Sequence, residues 1–91
     1  MYEIEFGKKF LKDLKKLKSN KNFKKVELEK VLKILISGES IPKIYNNHKL
    51  SGDLIGMYDL HVQNDLVLIY SKYEIIKLIG LYRIGSHSEI F

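Results

Sequence analysis

The apolar residues keep one period in the first half of the chain and another in the second, and this change restricts the fold more than any other feature. From about Lys8, the residues Phe10, Leu11, Leu14 and Leu17 follow the i, i+3, i+4, i+7 spacing of a helix with one apolar stripe, and Lys9, Lys12, Lys15 and Lys16 occupy the rest of its circumference. Ser19-Asn20 interrupts that pattern, because short polar side chains compete for backbone hydrogen bonds. A second helix is predicted from Lys21 to Ser37, with Phe23, Val26, Val31, Leu32 and Leu35 facing inward and Gly38 ending it. After the single proline, Pro42, the pattern becomes that of strands. Ile55 to Val62, Leu66 to Tyr70 and Ile75 to Arg83 are rich in Ile, Val, Leu and Tyr, with breaks at Gln63-Asn64 and Ser71-Lys72. Tyr2 to Phe6 alternates apolar residues with Glu3 and Glu5, as a short strand with one buried face would.

The breaks between the later strands suit antiparallel hairpins, since a parallel crossover needs a dozen or more residues. The fold class expected is therefore α+β in the order βααβββ(β). An antiparallel sheet of about four strands carries the two N-terminal helices, arranged as an αα-hairpin. The 91 residues suffice for a single domain over residues 1–91. Cysteine is absent, which rules out disulfides and thiolate metal sites and fits a reducing cytoplasm. The start, MYEIEFGKKF, has no hydrophobic signal core, and no run approaches the roughly 18 apolar residues of a membrane span. A soluble intracellular domain without a membrane role is expected.

The net charge of +5 is unevenly placed. Between Lys8 and Lys33 lysines far outnumber the acids Asp13, Glu27 and Glu29, while the second half is near balance. Such a face either stays solvated or attracts an acidic or polyanionic partner.

Chemistry-bearing residues collect in the last third, at or near strand ends, where rigid elements commonly display functional groups. The series Tyr45-x-x-His48-x-Leu50-x-Gly52, Gly56-x-x-Asp59-x-His61-Val62, Asp65-Leu66-Val67-Leu68-Ile69-Tyr70 and Arg83-x-Gly85-Ser86-His87-Ser88-x-Ile90-Phe91 closely resembles the RelE/YafQ toxins of bacterial toxin-antitoxin pairs, and within them the YafQ branch. The resemblance spans the whole chain in length and element order, with its specific motifs from His48 onward. It implies a type II toxin that cuts messenger RNA in the ribosomal A site and is held inactive by a cognate antitoxin. It also implies that His48, His61, Asp65, Arg83, His87 and Phe91 form the active site. Leu66 stands where relatives commonly carry Trp, and Tyr58 where a basic residue is frequent. The same fold serves ParE-like toxins that bind gyrase without chemistry, and a toxin-derived corepressor that only binds its antitoxin is a further alternative.

Taken as chemistry alone, the set can cleave RNA without a cofactor or metal. That reaction needs a base for the 2′-hydroxyl proton, an acid for the leaving 5′-oxygen and a cation for the crowded phosphate. Imidazole serves both proton transfers, and guanidinium can hold two phosphate oxygens. His87 is the candidate acid; His48, His61 and Asp65 are open candidates for the basic side, Asp65 either accepting the proton or orienting a histidine. The spacing of His48, His61, Asp65 and His87 matches none of the compact zinc patterns. Arg83 has an ordinary alternative as an ion-pair partner of Glu89 or Asp65. Phe91 is either a core plug or a platform for a stacked base. Lys9, Lys12 and Lys16, with the other helix lysines, are expected to dock on the phosphate surface of the ribosome, and an acidic antitoxin segment on overlapping surface. Operator DNA is expected as a partner only of the toxin-antitoxin complex, and the free toxin is expected to be a monomer.

Overall fold

The computed structural model describes residues 1–91. Strand β1 (Glu3–Phe6) leads into helices α1 (Lys8–Leu17) and α2 (Lys25–Ser37). Strand β2 (His48–Lys49), then β3 (Met57–Gln63), β4 (Leu66–Tyr73) and β5 (Leu78–Gly85) follow, and a last turn of helix, α3 (His87–Ile90), closes the chain. The sheet has five strands in the order β1-β5-β4-β3-β2. The three later pairings are antiparallel, as the short breaks require, whereas β1 runs parallel to β5. Everything between β1 and β5 serves as the long connection that a parallel pair needs.

One face of the sheet carries the core. Leu60, Val62, Leu66, Leu68, Tyr70, Ile79, Leu81 and Ile84 meet Phe10 of α1 and Leu28, Val31 and Leu35 of α2 there. α1 lies over β5 and α2 over β3, so both helices pack on the same face of the sheet. Gly7 allows the close start of α1. Its N–H donates to Leu81 O at 3.0 Å, and a Cβ at this position would lie 2.6 Å from that same oxygen.

Two boundaries differ from the sequence expectation, each because of a contact made across the fold. α2 begins at Lys25 rather than Lys21, because the preceding turn is held by the sheet. Gln63 Nε2 donates to Asn22 O, and its Oε1 accepts from Lys24 N–H. The helix phase set from Lys25 turns Leu28, Val31 and Leu35 inward and leaves Val26 exposed, as Leu11 is on α1. The β4–β5 turn falls at Glu74–Lys77 rather than Ser71-Lys72. Ser71 remains in strand because it faces Gly80, where a Cβ would meet its Oγ at 2.8 Å, and Lys72 remains because its Nζ lies over the Tyr2 ring. Ile75 and Ile76 are left exposed in the turn. The expected end of α2 holds, with Gly38 in the left-handed region at φ +76°, which favours glycine. No helix is long and apolar enough to cross a membrane.

Candidate active site

The register places His48, Asp59, His61 and Arg83 on the sheet face away from the Leu60 and Val62 side chains. On β3, Leu60 and Val62 enter the core, so the alternating residues Asp59 and His61 point the other way. Directly opposed residues of an antiparallel pair share a face, and the pairings His48↔Asp59, Asp59↔Ile69 and Ile69↔Arg83 draw one row across four strands. The next row along the same face is His61, Val67 and Gly85. Diagonal neighbours such as His48 and His61 are thus about 7–8 Å apart. The end of β5, from which His87 follows, lies two strands from His61, roughly 10 Å.

A β-bulge decides where Arg83 points. Ile69 pairs with Arg83 but Tyr70 pairs with Leu81, which leaves Tyr82 as an extra residue. Strict alternation would put Arg83 on the same face as core residue Leu81. The inserted residue resets the alternation, so Leu81 and Ile84 both enter the core and Arg83 turns out of it.

Arg83 is held by α1. Its Nε donates to Asp13 Oδ2 at 2.7 Å and its Nη2 to Asp13 Oδ1 at 3.1 Å. Neither Glu89 nor Asp65, the expected ion-pair partners, takes that place. The hydrogen bonds to Asp13 raise the guanidinium pKa further above its already high ordinary value, so the group stays charged. β1 pairs with β5 only as far as Phe6↔Leu81, and beyond it Asp13 Oδ2 also accepts the Ile84 N–H at 3.1 Å. The pair opens into a cavity of about 570 Å³ shared with Lys16 and Glu89.

His48 is largely exposed, with Nδ1 3.6 Å from Asp59 Oδ1. Asp59 is 8% exposed, and this oxygen is buried without a hydrogen bond. His61 and Asp65 line one cavity with Tyr45 and Lys30 among its other walls. Asp65, in the left-handed region at φ 48°, sits in the β3–β4 turn and accepts the His87 backbone N–H at 3.4 Å. That contact docks the start of α3 onto the turn. Ser86 caps α3 through reciprocal bonds with Glu89. Those bonds from Ser86 hold the Glu89 carboxyl below its usual range. Phe91 is half-exposed and lies against His87, ring centroids 4.8 Å apart, so it is no core plug.

His48, His61 and Arg83 therefore share one face of the sheet by register, and Asp65 and His87 meet at the end toward which it runs. The direct contacts among them are confined to Asp65 with the backbone of His87. Two acids that pattern reading left without a role, Asp13 and Asp59, stand behind Arg83 and His48. The signal for Asp13 was its isolation as the one acid among the lysines of α1; Asp59 lay within the quoted motif. Of the lysines, Lys9 reaches back to Tyr82, its Nζ 3.3 Å from the phenol oxygen, and Lys16 faces the Arg83 cavity.

The family model described as the bacterial toxin of type II toxin-antitoxin systems, YafQ, matches residues 2–91. The chain belongs to the YafQ family. It is 33% identical to the mRNA interferase toxin YafQ of Escherichia coli over 91 residues, 98% of this chain and 95% of that protein. Among solved structures, a metal-bound toxin from Helicobacter pylori is 38% identical with a TM-score of 0.90, each chain covered completely. The E. coli DinJ-YafQ complex matches at 29% identity and a TM-score of 0.87, covering 100% of this chain and 99% of that one. In this YafQ-family chain the two positions expected to depart from relatives, Leu66 and Tyr58, lie on the core side of the sheet. Leu66 is a buried core residue, and Tyr58 packs against the core and stacks on Tyr70 at 5.5 Å. No group of three His, Cys, Asp or Glu side chains is placed to hold a metal ion.

Proposed function

We propose that this YafQ-family toxin is a ribosome-dependent endoribonuclease that cuts messenger RNA in the A site by metal-independent attack of the 2′-hydroxyl. The observation that supports the reading is the cross-strand register, with His48 and His61 on the β2–β3 side and Arg83 on the β5 side of one row structure. A phosphodiester held by these side chains, above the buried Val67 and Ile69 of β4, lies between them. An imidazole of His48 or His61 takes the 2′-hydroxyl proton as the 2′-oxygen bonds to phosphorus; Asp59 backs the first and Asp65 shares the cavity of the second. Arg83 holds the non-bridging oxygens while the phosphorus is crowded. The P–O5′ bond breaks as His87, restrained by Phe91 and by the Asp65 contact, gives its proton to the leaving oxygen. The exposed part of the Phe91 ring can stack a base, worth about 1–3 kcal/mol.

The naming of the E. coli relatives as mRNA interferases supports the reaction class. The DinJ-YafQ complexes support an antitoxin partner for this chain, with an acidic segment drawn to the lysines of α1. Those same lysines, Lys9, Lys12 and Lys16 among them, would dock on ribosomal phosphate. We place the toxin in the cytoplasm as a monomer when free, with operator DNA reached only in the antitoxin complex. The test is a purified translation system with primer extension on the message. Cuts at fixed positions within A-site codons, lost in His87→Ala and Arg83→Ala, are expected. Intact message with translation still running would overturn the nuclease reading in favour of a binding-only toxin.

A further inference from the structure

We infer that Asp13 is a positioning residue for Arg83, setting the guanidinium in the plane from which it meets the scissile phosphate. The inference rests on the nuclease reading above. Its basis is the geometry of one carboxylate on the lysine-rich helix. Lys8, Lys9, Lys12, Lys15, Lys16 and Lys18 surround Asp13 in sequence, yet the carboxylate pairs across the fold with Arg83. Asp13 is itself fixed, because Oδ2 also accepts the backbone N–H of Ile84. Strand and helix therefore clamp the carboxylate, and the carboxylate clamps the guanidinium.

The edge that Asp13 uses matters. A guanidinium presents its N–H groups in a rigid fork. Asp13 takes the Nε edge with one Nη2 hydrogen, which leaves both Nη1 hydrogens and the second Nη2 hydrogen for phosphate. The pair is largely but not wholly shielded, with 29% of the Arg83 side chain and 17% of that of Asp13 exposed. Arg83 can thus stay on Asp13 while it binds an anion, and reaction does not require the ion pair to break. An arginine without this partner would have to lose rotamer freedom in each catalytic cycle.

The opposite role, a latch that keeps Arg83 from substrate until released, predicts the opposite sign. Single-turnover cleavage of a defined message on purified ribosomes separates them, using the full chain and its Asp13→Asn, Arg83→Ala and doubly substituted forms. The Asn side chain keeps an oxygen for the Ile84 N–H, and thermal unfolding checks the fold. Asp13→Asn is expected to lower the maximal rate about 10- to 100-fold. The half-saturating ribosome concentration should stay unchanged or fall, since a negative charge has been removed beside a phosphate site. On the Arg83→Ala background the same change should cost nothing more. A wild-type or faster rate for Asp13→Asn, or a further loss on the Arg83→Ala background, would overturn the inference while leaving the nuclease reading intact. Failure of the wild-type chain to cut would overturn both. Should Asp13→Asn not fold, Asp13→Glu keeps the charge but displaces the guanidinium by a methylene, and the same split of rate from binding is expected.

Discussion

The Arg83 guanidinium and the Asp13 carboxylate form a two-point ion pair between β5 and α1, at 2.7 and 3.1 Å. The geometry demands a planar fork. Arg83→Lys keeps the charge but offers a single ammonium, so it should lose at least about 10-fold in single-turnover cleavage, and Arg83→Ala about 100-fold or more. A lysine variant that cuts at the wild-type rate would show that charge without the fork suffices.

His87 donates no side-chain hydrogen bond within the chain and packs on Phe91, as an acid kept available to substrate would. His87→Ala should slow cleavage on the order of 100-fold or more. Near-normal cleavage by that variant would remove His87 from the mechanism.

The capping box of α3 should respond to acid. Hydrogen bonds from Ser86 depress the Glu89 pKa, so its contribution is present above the ordinary carboxylate range and is lost as the pH falls through the lowered folded value. The amide signals of residues 87–90 should therefore move toward unfolded positions in strong acid before the sheet signals do. Ser86→Ala, which removes the cap, should loosen α3 at neutral pH by about 1 kcal/mol.

Tyr70 supplies the alkaline counterpart. Its hydroxyl donates to Asn47 Oδ1 at 2.7 Å, and burial pushes its ionisation well above the ordinary value of 10.0. A raised folded pKa gives stability that is complete below the unfolded value and declines as pH rises beyond it. Unfolding midpoints should therefore fall above about pH 10, and less steeply in Tyr70→Phe. At neutral pH Tyr70→Phe should cost about 0.5–1.5 kcal/mol, or several degrees in Tm for a domain of this size.

Charge reversal tests the lysine face. Changing several of Lys9, Lys12, Lys15, Lys16, Lys24 and Lys25 to Glu should abolish activity on ribosomes and flatten its salt dependence. Ribosome binding that stays unchanged at moderate salt would count against the docking role.

Local chemistry determined most of the architecture. The helical stripe of Phe10, Leu14 and Leu17, the terminating Gly38 and the period-two runs after Pro42 are short-range signals, and they yielded the α+β order before any contact was known. That histidines, an arginine and a carboxylate stand at motif positions in the second half was likewise legible. Only the tertiary structure decided how they are aimed. The extra residue Tyr82, which turns Arg83 out of the core, is set by cross-strand register between Ile69 and Tyr70, and no local pattern within β5 specifies it. The hold of Gln63 on Asn22 and Lys24 moved the start of α2, and it joins residues about forty positions apart. Asp13 reaches Arg83 across 70 positions, so its partner was invisible to periodicity, which reads neighbours along the chain and not across the sheet.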